Sequence, residues 1–405
     1  MNQTLNTAHA LPIAGIRLGA VAAGVRKVGR QDLCAIEICE GAVVAGIFTQ
    51  NVFCAAPVVL AREHLASAPT RLLIVNSGNA NAGTGAQGLD DAREVCAAAG
   101  KLWGVPARAV LPFSTGVIGQ RLPIARIIDA LPKALTQLTA DGWSSAASAI
   151  MTTDTVSKCV SAQATVGEHT FTVTGIAKGA GMIKPNMATL LSFVATDAPL
   201  TADAVASLLH TSAAQSFNRI TIDGDTSTND SCILIATGRV APTARIDSTH
   251  PAWGQIAAAV ETVFLELARA LVRDGEGATK LVTVRVRGGR STAACLQAAY
   301  AVAESPLVKT ALFASDPNWG RILAAVGRSG VAELRIEDIG ISLNDYPIIT
   351  RGEPVPSYDE KIAAEIMARR EFDIGIEIGS GAATVEVLTC DFSYDYVKIN
   401  AEYRS

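Results

Sequence analysis

Apolar and polar positions change period several times along this chain, and each change predicts an element. Arg71-Leu72-Leu73-Ile74-Val75 is a short continuous apolar run, the mark of a strand buried on both faces. Residues 90–103 switch to helical spacing, and Gly104 supplies the stop. Cys34 and Cys39 flank Ile36 and Ile38 in a strand-like alternation, and 169–174 alternates like a half-buried strand. Helices are predicted over 143–150, 201–217 and 253–273. Strand and helix patterns interleave throughout, which predicts an α/β or α+β fold.

The texture changes near Gly277-Ala278-Thr279-Lys280. Beyond it Val282, Val284 and Val286 alternate with Thr283, Arg285 and Arg287, and Phe372, Ile374, Ile376 and Ile378 alternate with Asp373, Gly375, Glu377 and Gly379. Ser357-Tyr358-Asp359-Glu360 has the spacing of a capping box, opening a helix to Arg370. Residues 281–405 therefore read as a separate C-terminal α/β domain.

Composition narrows the partners. The 405 residues are 49% hydrophobic and 18% charged, with only 5% aromatic, so aliphatic sheets packed on alanine-rich helices are expected. The net charge of −4 comes with no basic block, which argues against nucleic acid. The first nine residues have neither the charged nor the apolar stretch of a secretory signal. Apolar runs such as 41–48 fall far short of the ~20 residues a membrane helix needs. Eight cysteines without a CxxC pair fit free thiols in a reducing cytoplasm.

Two glycine motifs lead elsewhere. Gly83-Thr84-Gly85-Ala86-Gln87-Gly88 matches GxGxxG, yet 76–82 separates it from the preceding strand and no acid stands about 20 residues on. Residues 76–88 read better as an Asn/Gly-rich loop with left-handed backbone positions. In Lys178-Gly179-Ala180-Gly181 the lysine leads, unlike a phosphate-binding loop. The five histidines form no HxxxH pair, so nothing in their spacing supports a zinc site.

The strongest candidate chemistry lies in Lys178-Gly179-Ala180-Gly181-Met182-Ile183-Lys184-Pro185-Asn186-Met187-Ala188-Thr189-Leu190-Leu191. A threonine opens a strand, 189–196, just after a turn that Pro185 stiffens. A cut before Thr189 would give it a free α-amine beside its own hydroxyl, a base and a nucleophile on one residue. That amine has an ordinary pKa near 7.7–8.0, suited to general-base work. By position alone Thr189 is equally a residue that opens a strand. An acyl-transfer nucleophile also needs oxyanion donors. Phe113-Ser114-Thr115-Gly116-Val117-Ile118-Gly119 offers the Thr115 hydroxyl and a close backbone at Gly116, or else an ordinary strand-end turn. Met151-Thr152-Thr153-Asp154-Thr155 clusters hydroxyls and one carboxylate for capping or substrate contact. Asp274-Gly275-Glu276-Gly277-Ala278-Thr279 sets an acid between glycines, as a site or a helix end.

Together these segments resemble the ornithine acetyltransferase family of arginine biosynthesis. Ser315-Asp316-Pro317-Asn318-Trp319-Gly320-Arg321 and the tail Val397-Lys398-Ile399-Asn400-Ala401-Glu402-Tyr403-Arg404-Ser405 join them, in the expected order over nearly the whole chain. The resemblance implies two sheets sandwiched between helical layers, an αββα core related to self-processing aminopeptidases. It implies self-cleavage between Ala188 and Thr189 into chains 1–188 and 189–405, held as an α2β2 heterotetramer. The second chain would comprise 189–280, with the nucleophile strand, and the domain 281–405.

It further implies Thr189 as nucleophile, Thr115 and Gly116 as oxyanion donors, and Thr152, Lys178, Thr189, Glu276, Asn400 and Ser405 as substrate contacts. The implied reaction moves an acetyl group from N2-acetylornithine to glutamate through acetyl-Thr189. No metal or cofactor is implied; bifunctional members also take acetyl-CoA as donor. A self-processing aminopeptidase or amidase of the same fold, with water as acceptor, and a non-catalytic amino-acid-binding protein are the alternatives.

Overall fold

The computed structural model describes residues 3–6, 10–27, 29–184, 190–241 and 245–402. The chain divides into two compact units. The first comprises Met1–Gly179, Pro185–Asn218 and Thr226–Leu271, and the second Ala180–Lys184, Arg219–Asp225 and Val272–Ser405.

In chain order the first unit holds β1 (Gln3–Asn6), β2 (Ile16–Val21), β3 (Leu33–Ile38), β4 (Val43–Phe48), α1 (Ala56–Ser67), β5 (Leu72–Asn79), α2 (Gly85–Trp103), β6 (Val110–Val117), α3 (Ile124–Thr136) and α4 (Trp143–Ala149). β7 (Lys158–Val166), β8 (His169–Lys178), β9 (Leu191–Thr196), α5 (Ala202–Gln215), β10 (Ser231–Ala236) and α6 (Trp253–Arg273) follow, the last turn of α6 passing into the second unit. The strands form a six-stranded sheet, β1-β7-β8-β9-β10-β4, and a four-stranded sheet, β2-β3-β5-β6.

The two sheets pack face to face. Leu18, Ile36, Leu73 and Phe113 from one meet Ile176, Phe193 and Ile233 from the other, and the rings of Phe113 and Phe193 meet edge to face at 5.0 Å. Alternate residues of the smaller sheet, Leu33, Ala35, Leu72, Ile74 and Val110, face outward onto Val95, Cys96 and Ala99 of α2 and Ile127 and Leu131 of α3. On the larger sheet, a side chain at Gly175 would collide with Val263 and Leu267 of α6, so glycine there lets that helix lie close. The result is the αββα sandwich expected from the resemblance.

Local chemistry explains the element ends, and several differ from expectation. Gly104 ends α2 at φ 70°, as its position predicts. β5 runs on through Asn76, Ser77 and Gly78 to Asn79, where a loop was expected, and α2 begins at Gly85 rather than Asp90. Asparagines are poor strand formers, but these spend their side chains on backbone groups: Asn76 Nδ2 donates to Asn79 O at 2.9 Å, and Asn79 Nδ2 to Gln120 O and Arg121 O at 3.2 and 3.0 Å. The left-handed positions expected nearby do occur, at Gly78, Asn81, Gly83 and Gly85.

The second unit carries β11 (Leu281–Gly289), α7 (Thr292–Ala303), α8 (Pro306–Ala314), α9 (Trp319–Gly327), β12 (Ile339–Leu343), β13 (Tyr346–Thr350), β14 (Glu353–Pro354), α10 (Glu360–Met367), β15 (Glu371–Ile378), β16 (Ala383–Cys390) and α11 (Tyr394–Ala401). Its sheet runs β14-β13-β12-β15-β11-β16. Val282, Val284, Val286, Ile374 and Ile376 fill its core, while Arg285 and Arg287 lie on the opposite face and pair with Asp373, Glu386 and Glu377. The expected capping box at Ser357 is not formed. The helix starts at Glu360, two residues beyond the position that box requires, and Asp359 caps it by accepting from Lys361 N at 2.8 Å, while the Tyr346 hydroxyl bonds Ser357 O and Asp359 N.

Asp197, just past β9, is 5% exposed and accepts from Thr172 N at 2.8 Å. Burial outweighs the amide bonds and raises its pKa from 3.8 to about 6. Below about pH 4 both states keep the proton and the group is neutral to stability. As pH rises from about 4 to 6 the unfolded state gives up its proton first, so stability falls, and above about 6 the full penalty persists. Asp197→Asn is therefore expected to stabilise the protein by on the order of 1–2 kcal/mol at pH 8 and not at pH 4, read from urea unfolding at both pH values.

Candidate active site

Three polar segments converge in the first unit. β5 and β6 run parallel, and their C-terminal ends carry Asn76–Asn79 and Ser114–Val117. Near Gly78 the register slips, and Asn79 faces both Thr115 and Val117. Gly116 sits at φ 132°, and a Cβ there would lie 2.3 Å from the Gly78 carbonyl carbon. Both the angle and the close approach demand glycine. Ser114 Oγ donates to Asn76 Oδ1 at 2.6 Å, and Asn229 Nδ2 bridges Ser114 O and Ala80 O at 2.9 and 2.6 Å. The Thr115–Gly116 segment is thus clamped on both sides.

Lys178, the last residue of β8, donates from Nζ to Thr115 Oγ1 at 3.0 Å. An ammonium only donates, so the Thr115 hydroxyl must accept there, and its own proton stays available for a third group. Thr115 is 8% exposed, in a site where such a donor is worth more than in water. Thr152 lies in the turn after α4, tied back through its amide to Asp154 Oδ2 at 3.0 Å. Arg30 adds a bond to Met151 O at 2.6 Å. The first unit therefore brings Thr115, Gly116, Thr152 and Lys178 onto adjoining segments.

Two carboxyl groups share the Lys178 neighbourhood, and their pKa values shift in opposite directions. Burial alone would raise the pKa of Asp154, but the ammonium groups of Lys178 and then Lys158 outweigh it and bring the pKa down to about 2. Asp230 is completely buried, and burial pushes its pKa well above the carboxylate range, against smaller opposing contributions from Ser227 and Lys178. Asp230 immediately precedes β10, and the next amide, Ser231 N, bonds Leu190 O at 2.8 Å. Asn229 and Asp230 were not singled out in the sequence. The polar run 223–231 ahead of an apolar strand was the signal available.

The second unit gathers the other candidates. Glu276 is buried, and its Oε2 accepts from Asn400 Nδ2 of α11 at 2.8 Å. Its amide bonds Ala180 O at 2.7 Å. A Cβ on Gly181 would lie 2.4 Å from Glu276 Oε2, so glycine makes room for that carboxylate. Asp223 accepts from Met182 N and Ile183 N at 2.5 and 2.9 Å, which holds Met182 in a left-handed conformation at φ 54°. Ala188, Thr189 and Ser405 lie outside the described residues.

A clamped hydroxyl beside a lysine, next to a buried acid, is an arrangement that can serve acyl transfer. The comparisons agree. The profile of the ArgJ family matches residues 17–405. The chain is 52% identical to the arginine biosynthesis bifunctional protein ArgJ of Psychrobacter arcticus and 51% to that of Pseudomonas syringae pv. tomato, over 97% of each chain in both cases. A crystal structure of the ornithine acetyltransferase of Mycobacterium tuberculosis with ornithine is 36% identical, with a TM-score of 0.44, covering 46% of this chain and 100% of that one. The chain belongs to the ArgJ family, and it is an acyltransferase.

Asn229→Asp would set a carboxylate against the Ala80 and Ser114 carbonyls. We expect a loss of on the order of 2–4 kcal/mol at pH 8, shrinking below pH 4 as the acid regains a donor, read from the urea midpoint.

Proposed function

We propose that this enzyme cuts its own chain between Ala188 and Thr189 and then moves the acetyl group of N2-acetylornithine to glutamate. The hydrogen bond from Lys178 to Thr115 carries this reading, because it leaves the Thr115 proton for an oxyanion. Family membership and the arginine-biosynthesis name of its relatives support the substrates.

In the first half-reaction Thr189 Oγ attacks the acetyl carbonyl carbon. Its proton passes to the Thr189 α-amine, and Thr115 and Gly116 stabilise the oxyanion. The amide C–N bond breaks, the leaving nitrogen takes that proton, and ornithine departs. In the second half-reaction the glutamate amine attacks acetyl-Thr189 and gives up a proton to the Thr189 α-amine, the ester C–O bond breaks, and the α-amine passes that proton to Oγ. One site serves two substrates in turn, so ping-pong kinetics are expected.

Lys178 pairs with the α-carboxylate common to both amino acids, and Glu276 with the side-chain ammonium of ornithine. Thr152, Asn400 and Ser405 complete the substrate contacts. The enzyme works without a metal or cofactor, in the cytoplasm, as an α2β2 heterotetramer, and takes acetyl-CoA as a second donor. Among the described residues, no helix is long and apolar enough to cross a membrane.

Intact mass under denaturing conditions should give two chains for the wild type and one for Thr189→Ala, which should also release no ornithine. A Thr189→Ala protein that still yields two chains overturns the scheme. Thr115→Ala should lower kcat roughly a hundred- to a thousandfold with KM little changed. Incubation with N2-acetylornithine alone should release at most about one ornithine per site and no acetate; continued acetate release without glutamate would identify a hydrolase.

A further inference from the structure

Asp154 has no part in the reaction as written above, yet no carboxylate near Lys178 is more fully engaged. Its side chain is 0% exposed. Oδ1 accepts from Lys158 Nζ at 2.7 Å and from Gly179 N at 2.7 Å, and Oδ2 from Thr152 N at 3.0 Å. Lys158, with a side chain 2% exposed, also donates to Val156 O at 3.1 Å. A buried carboxylate needs donors on its remaining lone pairs. Here the two amides that supply them belong to Thr152 and to the residue that follows Lys178.

We propose that Asp154 is a positioning residue for the substrate carboxylate, fixing the Thr152 turn and the Lys178–Gly179 peptide as one rigid corner that presents the Lys178 ammonium. This rests on the reading of Lys178 given under the proposed function. Charge supports it. The ammonium groups of Lys178 and then Lys158 hold Asp154 ionised, with a pKa of about 2, so the carboxylate attracts Lys178 toward the corner that it anchors. Gly179 sits at φ 152°, a conformation that favours glycine, and the bond from its amide to Asp154 holds it there.

The test is steady-state kinetics on the cleaved enzyme. Asp154→Asn keeps the shape and one acceptor but loses the charge and turns an amide N–H toward Lys158. KM should rise about tenfold or more for both N2-acetylornithine and glutamate, since both carry the α-carboxylate, while kcat per cleaved site stays within about threefold. A merely structural role would reduce the amount of active enzyme and leave KM unmoved. Wild-type KM for both substrates, or a rise for only one, overturns the proposal. If Asp154→Asn fails to fold, the double variant Asp154→Asn, Lys158→Met removes the stranded ammonium as well, and it should fold and keep the KM defect. Wild-type KM in that variant is equally fatal. Lys178→Met separates the two layers of the argument. Unchanged KM there removes the carboxylate reading and this inference with it, whereas raised KM there with wild-type KM in Asp154→Asn removes this inference alone.

Discussion

The hydrogen bond from the Lys178 ammonium to the Thr115 hydroxyl joins the two sheets of the first unit at their working ends. Lys178 ends a strand of the six-stranded sheet, and Thr115 lies near the end of a strand of the four-stranded sheet. They meet only because the apolar faces of those sheets pack together, with Phe113, two residues before Thr115, against Phe193. The sandwich core thus sets the distance between Lys178 and Thr115. A shift of either sheet would separate them, and geometry of this kind is worth orders of magnitude in rate.

Electrostatics refine what packing brings together. Buried charges are costly unless matched, and this cluster matches them unequally. Asp154 is ionised and bonded on both oxygens, and Lys178 and Lys158 both favour its charge. Burial pushes the pKa of Asp230 well above the ordinary carboxylate value. The Lys178 ammonium lies beside the Thr115 hydroxyl, which accepts from it. The clamps behind Thr115, from Asn229 and Asn76, are neutral hydrogen bonds that add rigidity without altering that balance.

The second unit solves a similar problem with glycine. Glu276 is buried against Gly181, where any side chain would displace it, and Asn400 reaches it from the last helix. The short segment Ala180–Lys184 is held by the Glu276 amide, the Ile222 amide and the two-amide grip of Asp223. These bonds hold Met182 in a conformation that costs a non-glycine residue on the order of 1 kcal/mol or more.

Periodicity alone located what local chemistry controls. The span of α6 and the left-handed stop at Gly104 follow from helical spacing and from the freedom of glycine, and both were legible in the sequence. The Thr115–Gly116 and Lys178 motifs drew attention through their resemblance to a known family, since spacing could not distinguish them from ordinary turns. The strand through Asn76–Asn79 and the cap at Asp359 were not legible, because each depends on side chains bonding to backbone groups well away in sequence. The same holds for Asp154 with Gly179 and for Asn229 with Ser114. The alternation of strands and helices and the family are written in the order of residues along the chain. Which way each buried carboxyl shifts and which hydroxyl meets the lysine follow from the folded structure alone, because burial and contact between distant segments set both.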